Sequence, residues 1–226
     1  MKNASSASTA LRLLLAMTLL CGGVYPLLIT ILAHTLFPDK ATGSLITLNG
    51  RVAGSRLIAQ PSPAAGYFHP RPSACSYSTL PGSASNFAVS SAAFRDSVTA
   101  RQIRFRMENE LAADEAVPLD MLCASASGLD PHISPAAAKL QLPRIARDRH
   151  LPAQARQQLE QLVAQMTEPR QLGFLGEPRI NVFALNFMLD NSDEFNNFYG
   201  STFKSPGENI HSLKAPELAL PGKKNE

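Results

Sequence analysis

The sequence is poor in cysteine and lacks the short motifs of several enzyme classes. Three of its 226 residues are cysteine and none stands in a Cys-x-x-Cys pair, so a thiolate zinc site is not indicated. The P-loop and the Rossmann glycine pattern are absent, so the chain has no such loop for hydrolysing a nucleotide by itself. The net charge of +3 is small, and the arginines from Arg95 to Arg106 are typical of a solvated helix face rather than a nucleic-acid site.

Charged residues are also absent from one long stretch near the N-terminus. Leu13–Phe37 contains no Asp, Glu, Lys or Arg. About 20 apolar helical residues cross the hydrocarbon core of a bilayer, so this stretch predicts one transmembrane helix, and no second stretch is long enough. A cleaved signal peptide is the alternative. The stretch is longer than a signal core, however, and it ends at Phe37-Pro38 without a small-residue cleavage site.

The transmembrane helix divides the chain into four predicted parts. Residues 1–12 form a short cytoplasmic N-terminus, 13–37 the helix, 38–190 an extracytoplasmic domain, and 191–226 a polar, flexible extension. Basic residues flank the helix about equally, so charge does not decide the orientation. A long domain is exported largely regardless of its charge, and we therefore expect the main domain outside the inner membrane.

Small residues and a proline interrupt the predicted transmembrane helix. Thr18 and Gly22 form a small-xxx-small pair, which lets a second helix approach closely. Pro26 removes a backbone donor and predicts a kink between Cys21 and Pro26. We predict Thr18, Gly22 and Pro26 as helix-packing positions, and a helix that serves only as an anchor is the alternative.

Helical periodicity and capping residues recur in the part after residue 38. Apolar residues at four-residue steps predict a helix within 91–113. Ser134-Pro135 predicts the N-cap and first residue of another helix, which Pro143 should bend or end. A third helix is predicted from Pro152 to about Thr167.

Strand and turn signals complete the prediction of a mixed α/β domain. Asn49-Gly50 predicts a β-hairpin turn, and Val117–Ala124 predicts a strand. The apolar run from Ile180 to Leu189 fits either a buried strand or a helix. Two cysteines outside the membrane segment, Cys75 and Cys123, are interpreted as free thiols, with a disulfide between them as the alternative.

The segment from Ser127 to Ser134 is rich in chemically active residues. One interpretation is a hydrolase that uses Ser127 with Asp130 and His132, although the Gly-x-Ser-x-Gly elbow is absent. The favoured interpretation is a rigid, exposed corner in which Asp130 forms an Asx turn, Gly128 takes an unusual φ and Ser134 caps a helix. Such a corner, with a carboxylate and an imidazole, suits a contact surface.

Five segments together carry a family resemblance: Tyr25–Leu27, Tyr67–Ser73, Gly128–Ala137, Arg170–Asn181 and Asn186–Asp190. From about residue 11 to residue 190 the chain resembles the C subunit of the bacterial Kdp potassium-transporting P-type ATPase. It departs from that family's pattern at Pro70 and Ala126, where glycine is usual. The loop Gly82–Asn86 lacks the usual paired glycines, and the chain continues past the usual end.

The resemblance implies a non-catalytic, single-span subunit of a high-affinity ATP-driven potassium importer. Its implied partners are a channel-like potassium-translocating subunit, an ATP-hydrolysing subunit and a small single-span subunit. The family is described as needed for assembly and as a catalytic chaperone that raises the ATP affinity of the hydrolytic subunit. An outer domain is separated from cytoplasmic ATP by about 30 Å of lipid, so such an effect requires conformational coupling.

The alternatives to this function are a membrane-tethered extracytoplasmic hydrolase and a stand-alone envelope interaction domain. No catalytic or metal-binding residue is assigned, and ATP is expected only through the partner subunit. By family proposal, the loop that carries Gly82, Ser83, Ser85 and Asn86 contacts nucleotide. Ion pairing among Arg170, Glu177 and Arg179 in a glycine-containing turn is the alternative for those three residues. The predicted partner-interface residues are Tyr67, Phe68, Arg71, Asp130, His132, Arg170, Glu177 and Arg179.

Overall fold

The structure, a computed structural model, describes residues 2–48, 51–62 and 64–190. Two compact units meet in sequence between Ala53 and Gly54. In chain order the elements are α1 (Lys2–Leu19), a π-helical turn (Leu20–Val24), α2 (Tyr25–Leu36), α3 (Pro38–Ala41), β1 (Leu45–Leu48), β2 (Arg51–Ser55), α4 (Ala92–Asn109), α5 (Leu119–Leu122), β3 (His132–Ile133), α6 (Pro135–Asp148), α7 (Ala153–Gln165), β4 (Ile180–Asn181) and α8 (Val182–Asp190).

The first unit contains a long apolar helix. Ser6–Leu36 is helical over 31 residues and is long and apolar enough to cross a membrane. At 1.5 Å per residue it spans about 46 Å, more than the hydrocarbon thickness of a bilayer. Its large apolar side chains are exposed, as they must be to face lipid.

A π-helical turn interrupts this helix where the irregularity is predicted. The backbone N–H of Tyr25 donates to the carbonyl of Leu20, five residues back, immediately before Pro26, which has no N–H to donate. A methyl group built on Gly22 would meet nothing within 4 Å, so the helix surface is open there. Thr18 and Pro26 lie on either side of this turn, and all three stay predicted packing positions.

The first unit also contains most of a small sheet. Strands β1 and β2 pair on either side of the predicted Asn49-Gly50 turn, whose own residues lie outside the described part of the chain. The predicted flexible extension at 191–226 also lies outside it.

The second unit is a helical domain with one short sheet. Helix α6 packs against α4 and α7, and α7 packs against α8. Strands β3 and β4 are antiparallel, with His132 opposite Asn181 and Ile133 opposite Ile180. The mixed helix and sheet content is confirmed, although helices supply most of the core. The largest fully buried side chains in the described part of the chain are Phe68, Ile133, Gln141, Ile145, Val163, Ile180 and Leu185.

The second unit corrects one prediction, excludes one of the two outcomes predicted for Pro143 and settles an open assignment. Val117–Ala124 is not a strand, because Pro118 precedes a single helical turn, α5, that buries Met121 and Leu122. Helix α6 does not end at Pro143 but continues to Asp148. Pro143 lies on the exposed face of α6, where solvent is accessible to the carbonyl for which proline supplies no N–H. The apolar run 180–189, for which a strand and a helix are both open alternatives, contains one of each: the short strand β4 is followed by helix α8.

Candidate functional site

Residues 64–73, here named the strap, cross the core without helix or strand. The Asn186 carboxamide accepts a hydrogen bond from the backbone N–H of Phe68 at 2.8 Å and donates one to its carbonyl at 2.9 Å. The Gln141 carboxamide makes the same pair with His69, at 2.7 and 3.2 Å. Each amide takes the place of a pairing strand, so the polar backbone of the strap is satisfied where it is buried.

A buried arginine fixes the start of the strap. Arg144 is 3% exposed, and its guanidinium donates to the carbonyls of Ala65 and Tyr67 and to side-chain oxygens of Asn109 and Gln141. Burial lowers the pKa of Arg144 from its ordinary value, but these oxygens stabilise the charged form. The strap is therefore anchored to helices α4 and α6 as well as to α8.

Tyr67 joins the strap to the end of α8. Its hydroxyl donates to Asp190 at 3.0 Å, and the Arg149 guanidinium, 2.7 Å from the same carboxylate, lies 4.7 Å from the Tyr67 ring centroid. The hydrogen bond to Asp190 raises the pKa of Tyr67. Tyr67 stays partly exposed, whereas the next residue, Phe68, is fully buried. The Phe68 side chain thus belongs to the core and offers no surface to a partner.

Three predicted interface residues form one cluster at the end of the strap. The Arg71 guanidinium donates to Asp130 at 2.8 Å, and the other carboxylate oxygen lies 3.2 Å from His132 Nδ1. About a quarter to a third of each side chain is exposed. Burial alone would raise the pKa of Asp130, but the hydrogen bonds from the His132 side chain and backbone and the charge of Arg71 outweigh it and lower the pKa to about 2. Asp130 is therefore a carboxylate at any physiological pH.

The corner from Gly128 to Ser134 has the predicted rigid turn. The Asp130 carboxylate accepts the N–H of His132 at 3.1 Å, which is an Asx turn, and Gly128 has a φ of +71°. A Cβ at Gly128 would lie 2.5 Å from the Cys75 sulfur, so glycine is required for space as well. Ser134 caps α6 by accepting the N–H of Ala137 at 3.1 Å.

The hydrolase interpretation of this corner lacks its central contact. The Ser127 hydroxyl accepts the N–H of Leu129 at 3.1 Å, and within the described part of the chain no hydrogen bond joins Ser127 to His132. Cys75 and Cys123 are free thiols, as predicted from the sequence, and do not form the alternative disulfide. A hydrogen bond from Ser73 lowers the pKa of the Cys75 thiol.

The other predicted interface residues lie on a β-hairpin formed by residues 168–179, here named the hairpin. Glu168 and Arg179 exchange backbone hydrogen bonds of 2.8 and 3.1 Å and form an ion pair of 3.0 Å. The Arg170–Glu177 pair, at 2.6 Å, comes next along the hairpin, which confirms the predicted pairing. Strand β3 lies within the corner and strand β4 follows the hairpin. Because the two strands are antiparallel, the residues that precede β3 and those that precede β4 lie at opposite ends of one short sheet.

The loop Gly82–Asn86 has little in common with a phosphate site. It contains no Lys or Arg. The Ser83 hydroxyl donates to the carbonyl of Ala84 at 3.0 Å, and Asn86 has a φ of +52°. Ser85 is partly buried. Phosphates are bound by cations or by converging backbone N–H groups, and this loop supplies no cation. Contact of this loop with nucleotide therefore stays a prediction, and it would have to use backbone N–H groups.

Four residues that hold this surface together are not predicted from the sequence. Gln141, Arg144 and Asn186 bind the strap, and the Asn181 side chain donates to the Arg56 carbonyl at 2.7 Å and accepts from Ala184 at 3.0 Å. The available signal is a polar residue at an apolar helix position, as with Asn186 between Leu185 and Phe187. A buried polar residue requires a hydrogen-bond partner.

Comparison with known proteins gives one consistent result. The family described as KdpC, K⁺-transporting ATPase, c chain, matches residues 7–191. The potassium-transporting ATPase KdpC subunit of Geobacter sulfurreducens is 48% identical over 185 residues, which cover 80% of this chain and 95% of the relative. That of Acidobacterium capsulatum is 48% identical over 168 residues, covering 74% and 87%. That of Koribacter versatilis is 45% identical over 184 residues, covering 80% and 92%.

Proposed function

The chain belongs to the KdpC family, the c chain of the K⁺-transporting ATPase, and from this premise we propose that it is a non-catalytic subunit required for assembly and stability of the complex. The observation that carries the proposal is the match over residues 7–191, which includes both the apolar helix and the domain. ATP hydrolysis then resides on a partner subunit. The further partners are a channel-like potassium-translocating subunit and a small single-span subunit.

The arrangement of the polar groups supports a binding role for the domain. Arg71, Asp130 and His132 are bonded to one another and to the backbone, as is usual for a surface of fixed shape. Arg170, Glu177 and Arg179 are likewise paired on the hairpin. We assign these six residues and the exposed part of Tyr67 to the subunit interface.

The anchor gives the proposed location. One helix long enough to span a bilayer supports a single-pass protein of the bacterial inner membrane, with residues 1–12 in the cytoplasm and the domain outside. In this arrangement Thr18, Gly22 and Pro26 face a partner helix. The open surface at Gly22 favours such packing, because a backbone without a side chain lets a second helix approach closely.

An effect on ATP affinity then acts through conformation. The loop Gly82–Asn86 has no cation for phosphates, and the outer domain is separated from the cytoplasm by about 30 Å of lipid. Any coupling between the subunit interface and the ATP site is reciprocal in free energy. ATP bound to the partner would therefore raise the affinity of the complex for this chain by the same factor by which this chain raises the affinity for ATP.

Replacement of both Asp130 and His132 by Ala tests the interface assignment. The complex is purified through a tag on another subunit, and both the amount of this chain and the potassium-stimulated ATPase activity are measured. We expect less bound chain and lower activity. Unchanged stoichiometry and activity would remove Asp130 and His132 from the interface. The matched control is Asp114→Ala with His150→Asn, which alters exposed residues of the same types and keeps a residue that suits the left-handed backbone at position 150.

A further inference from the structure

The hairpin ends in an exposed group of large apolar side chains, here named the apolar tip: Leu172, Phe174 and Leu175. They are 83%, 71% and 47% exposed. Phe174 presents its aromatic ring to solvent in the turn of the hairpin. Neighbouring exposed apolar side chains of this kind are typical of a binding surface.

The conformation of Leu172 makes the apolar tip more unusual still. Its φ is +53°, a left-handed conformation that asparagine and glycine adopt readily and leucine rarely does. Both the backbone and the solvent exposure therefore favour a polar residue here. Nothing that stabilises the isolated domain accounts for leucine at this position, and an unfavourable conformation at an exposed site is a signal of function.

The apolar tip is held rigidly. Gln171 and Leu175 exchange backbone hydrogen bonds of 2.8 and 2.9 Å, which close the turn. The two ion pairs lie between this turn and the base of the hairpin. Beyond the base on either side, Met166 and Ile180 are buried in the core. A preordered apolar group loses little conformational entropy when it binds.

The charges next to the apolar tip favour a protein partner over a lipid surface. Arg170 is paired with Glu177 and Arg179 with Glu168, so the hairpin carries no net charge to attract anionic headgroups. An apolar centre beside neutral, paired polar groups is the usual composition of a protein–protein hot spot and its rim. We propose that the apolar tip inserts into an apolar pocket on another subunit of the K⁺-transporting ATPase, an inference that rests on the proposed function.

The double variant Leu172→Asn, Phe174→Ser tests this insertion. Asparagine suits the left-handed backbone, so the variant chain should fold as stably as the wild type. The matched control is Leu119→Asn, at a leucine that is 74% exposed elsewhere on the domain. In the full complex, purified through a tag on another subunit, we expect the double variant to dissociate at least tenfold faster and the control to behave like wild type. If the double variant dissociates at the wild-type rate, the proposal is overturned.

A photo-crosslinking amino acid in place of Phe174 identifies what the apolar tip contacts. A benzophenone side chain at this position should crosslink to another ATPase subunit in the assembled complex. Crosslinking to lipid or to a second copy of this chain, or no crosslink at all, would contradict the proposal. If the wild-type chain does not co-purify with the ATPase subunits, it is the proposed function that fails.

Discussion

The two hydrogen bonds between the Asn186 carboxamide and the backbone of Phe68, here named the clamp, predict a measurable loss of stability when Asn186 is replaced. Asn186→Leu keeps the approximate size of the side chain and removes both hydrogen bonds to Phe68. The Phe68 residue is fully buried, so its N–H and C=O would be left without partners in the core. Each unsatisfied buried group costs about 1–3 kcal/mol, so for the two groups we expect a loss of about 2–6 kcal/mol in the free energy of unfolding. That is a large part of the usual stability of a domain, about 5–15 kcal/mol.

Urea unfolding of the full chain in mild detergent, followed by circular dichroism, measures this loss by linear extrapolation. Gln158→Leu is the control, because Gln158 is exposed on α7 and its replacement should change stability by less than about 0.5 kcal/mol. Asn186→Asp separates the two bonds: a carboxylate still accepts the N–H of Phe68 but cannot donate to its carbonyl. A loss below about 1 kcal/mol for Asn186→Leu would refute the argument that the carboxamide replaces a pairing strand.

Four further predictions follow from the same geometry. The pKa of Asp130 falls from an ordinary 3.8 to about 2, so the stability that its carboxylate adds is present above about pH 4 and is lost as the pH drops through 2. After allowance for solvent screening, the wild type should lose about 1–2 kcal/mol more than Asp130→Asn in the free energy of unfolding between pH 5 and pH 2. Unfolding measured over this pH range tests the difference. A serine-reactive fluorophosphonate should leave Ser127 unlabelled, and labelling abolished by His132→Ala would support the hydrolase instead. A non-hydrolysable ATP analogue should lower the equilibrium dissociation constant of this chain from the complex by the factor by which the chain lowers that of the analogue, and an unchanged dissociation constant would exclude coupling. A phosphatase that folds to an active enzyme only outside the cytoplasm should be active when it is fused after Glu226. An inactive fusion would reverse the proposed orientation.

Local signals in the sequence predict the parts of the fold whose physics is local. Ser134 caps helix α6 through a hydrogen bond three residues along the chain, and the Asx turn at Asp130 spans two residues. Such contacts depend on residue type and spacing alone. The start of α7 next to Pro152 follows from the same kind of reasoning.

Contacts between distant parts of the chain explain what the sequence does not predict. The carboxamides of Asn186 and Gln141 bind strap residues 118 and 72 positions away. The turn of helix at α5 has strand-like composition, but its Asp120 carboxylate accepts the N–H of Ser134 at 2.6 Å and so docks α5 beside the start of α6. Tertiary contacts of this kind override a short apolar pattern.

The same division applies to the candidate site. The family resemblance names the segments of the strap, the corner and the hairpin, but it does not separate surface from core. Phe68 and Tyr67 are neighbours in one motif, yet one is buried and the other partly exposed. The apolar tip is missed because leucine and phenylalanine suggest burial until their exposure is known.

We propose that this chain is a required, non-catalytic subunit of a K⁺-transporting ATPase. A tag on this chain is used to purify the complex from potassium-starved cells, and the potassium-stimulated ATPase activity is assayed in membranes from cells with and without the chain. We expect the translocating and ATP-hydrolysing subunits to co-purify with the chain, and the activity to be lost when the chain is deleted. A chain that purifies alone, or full activity in its absence, would exclude this function.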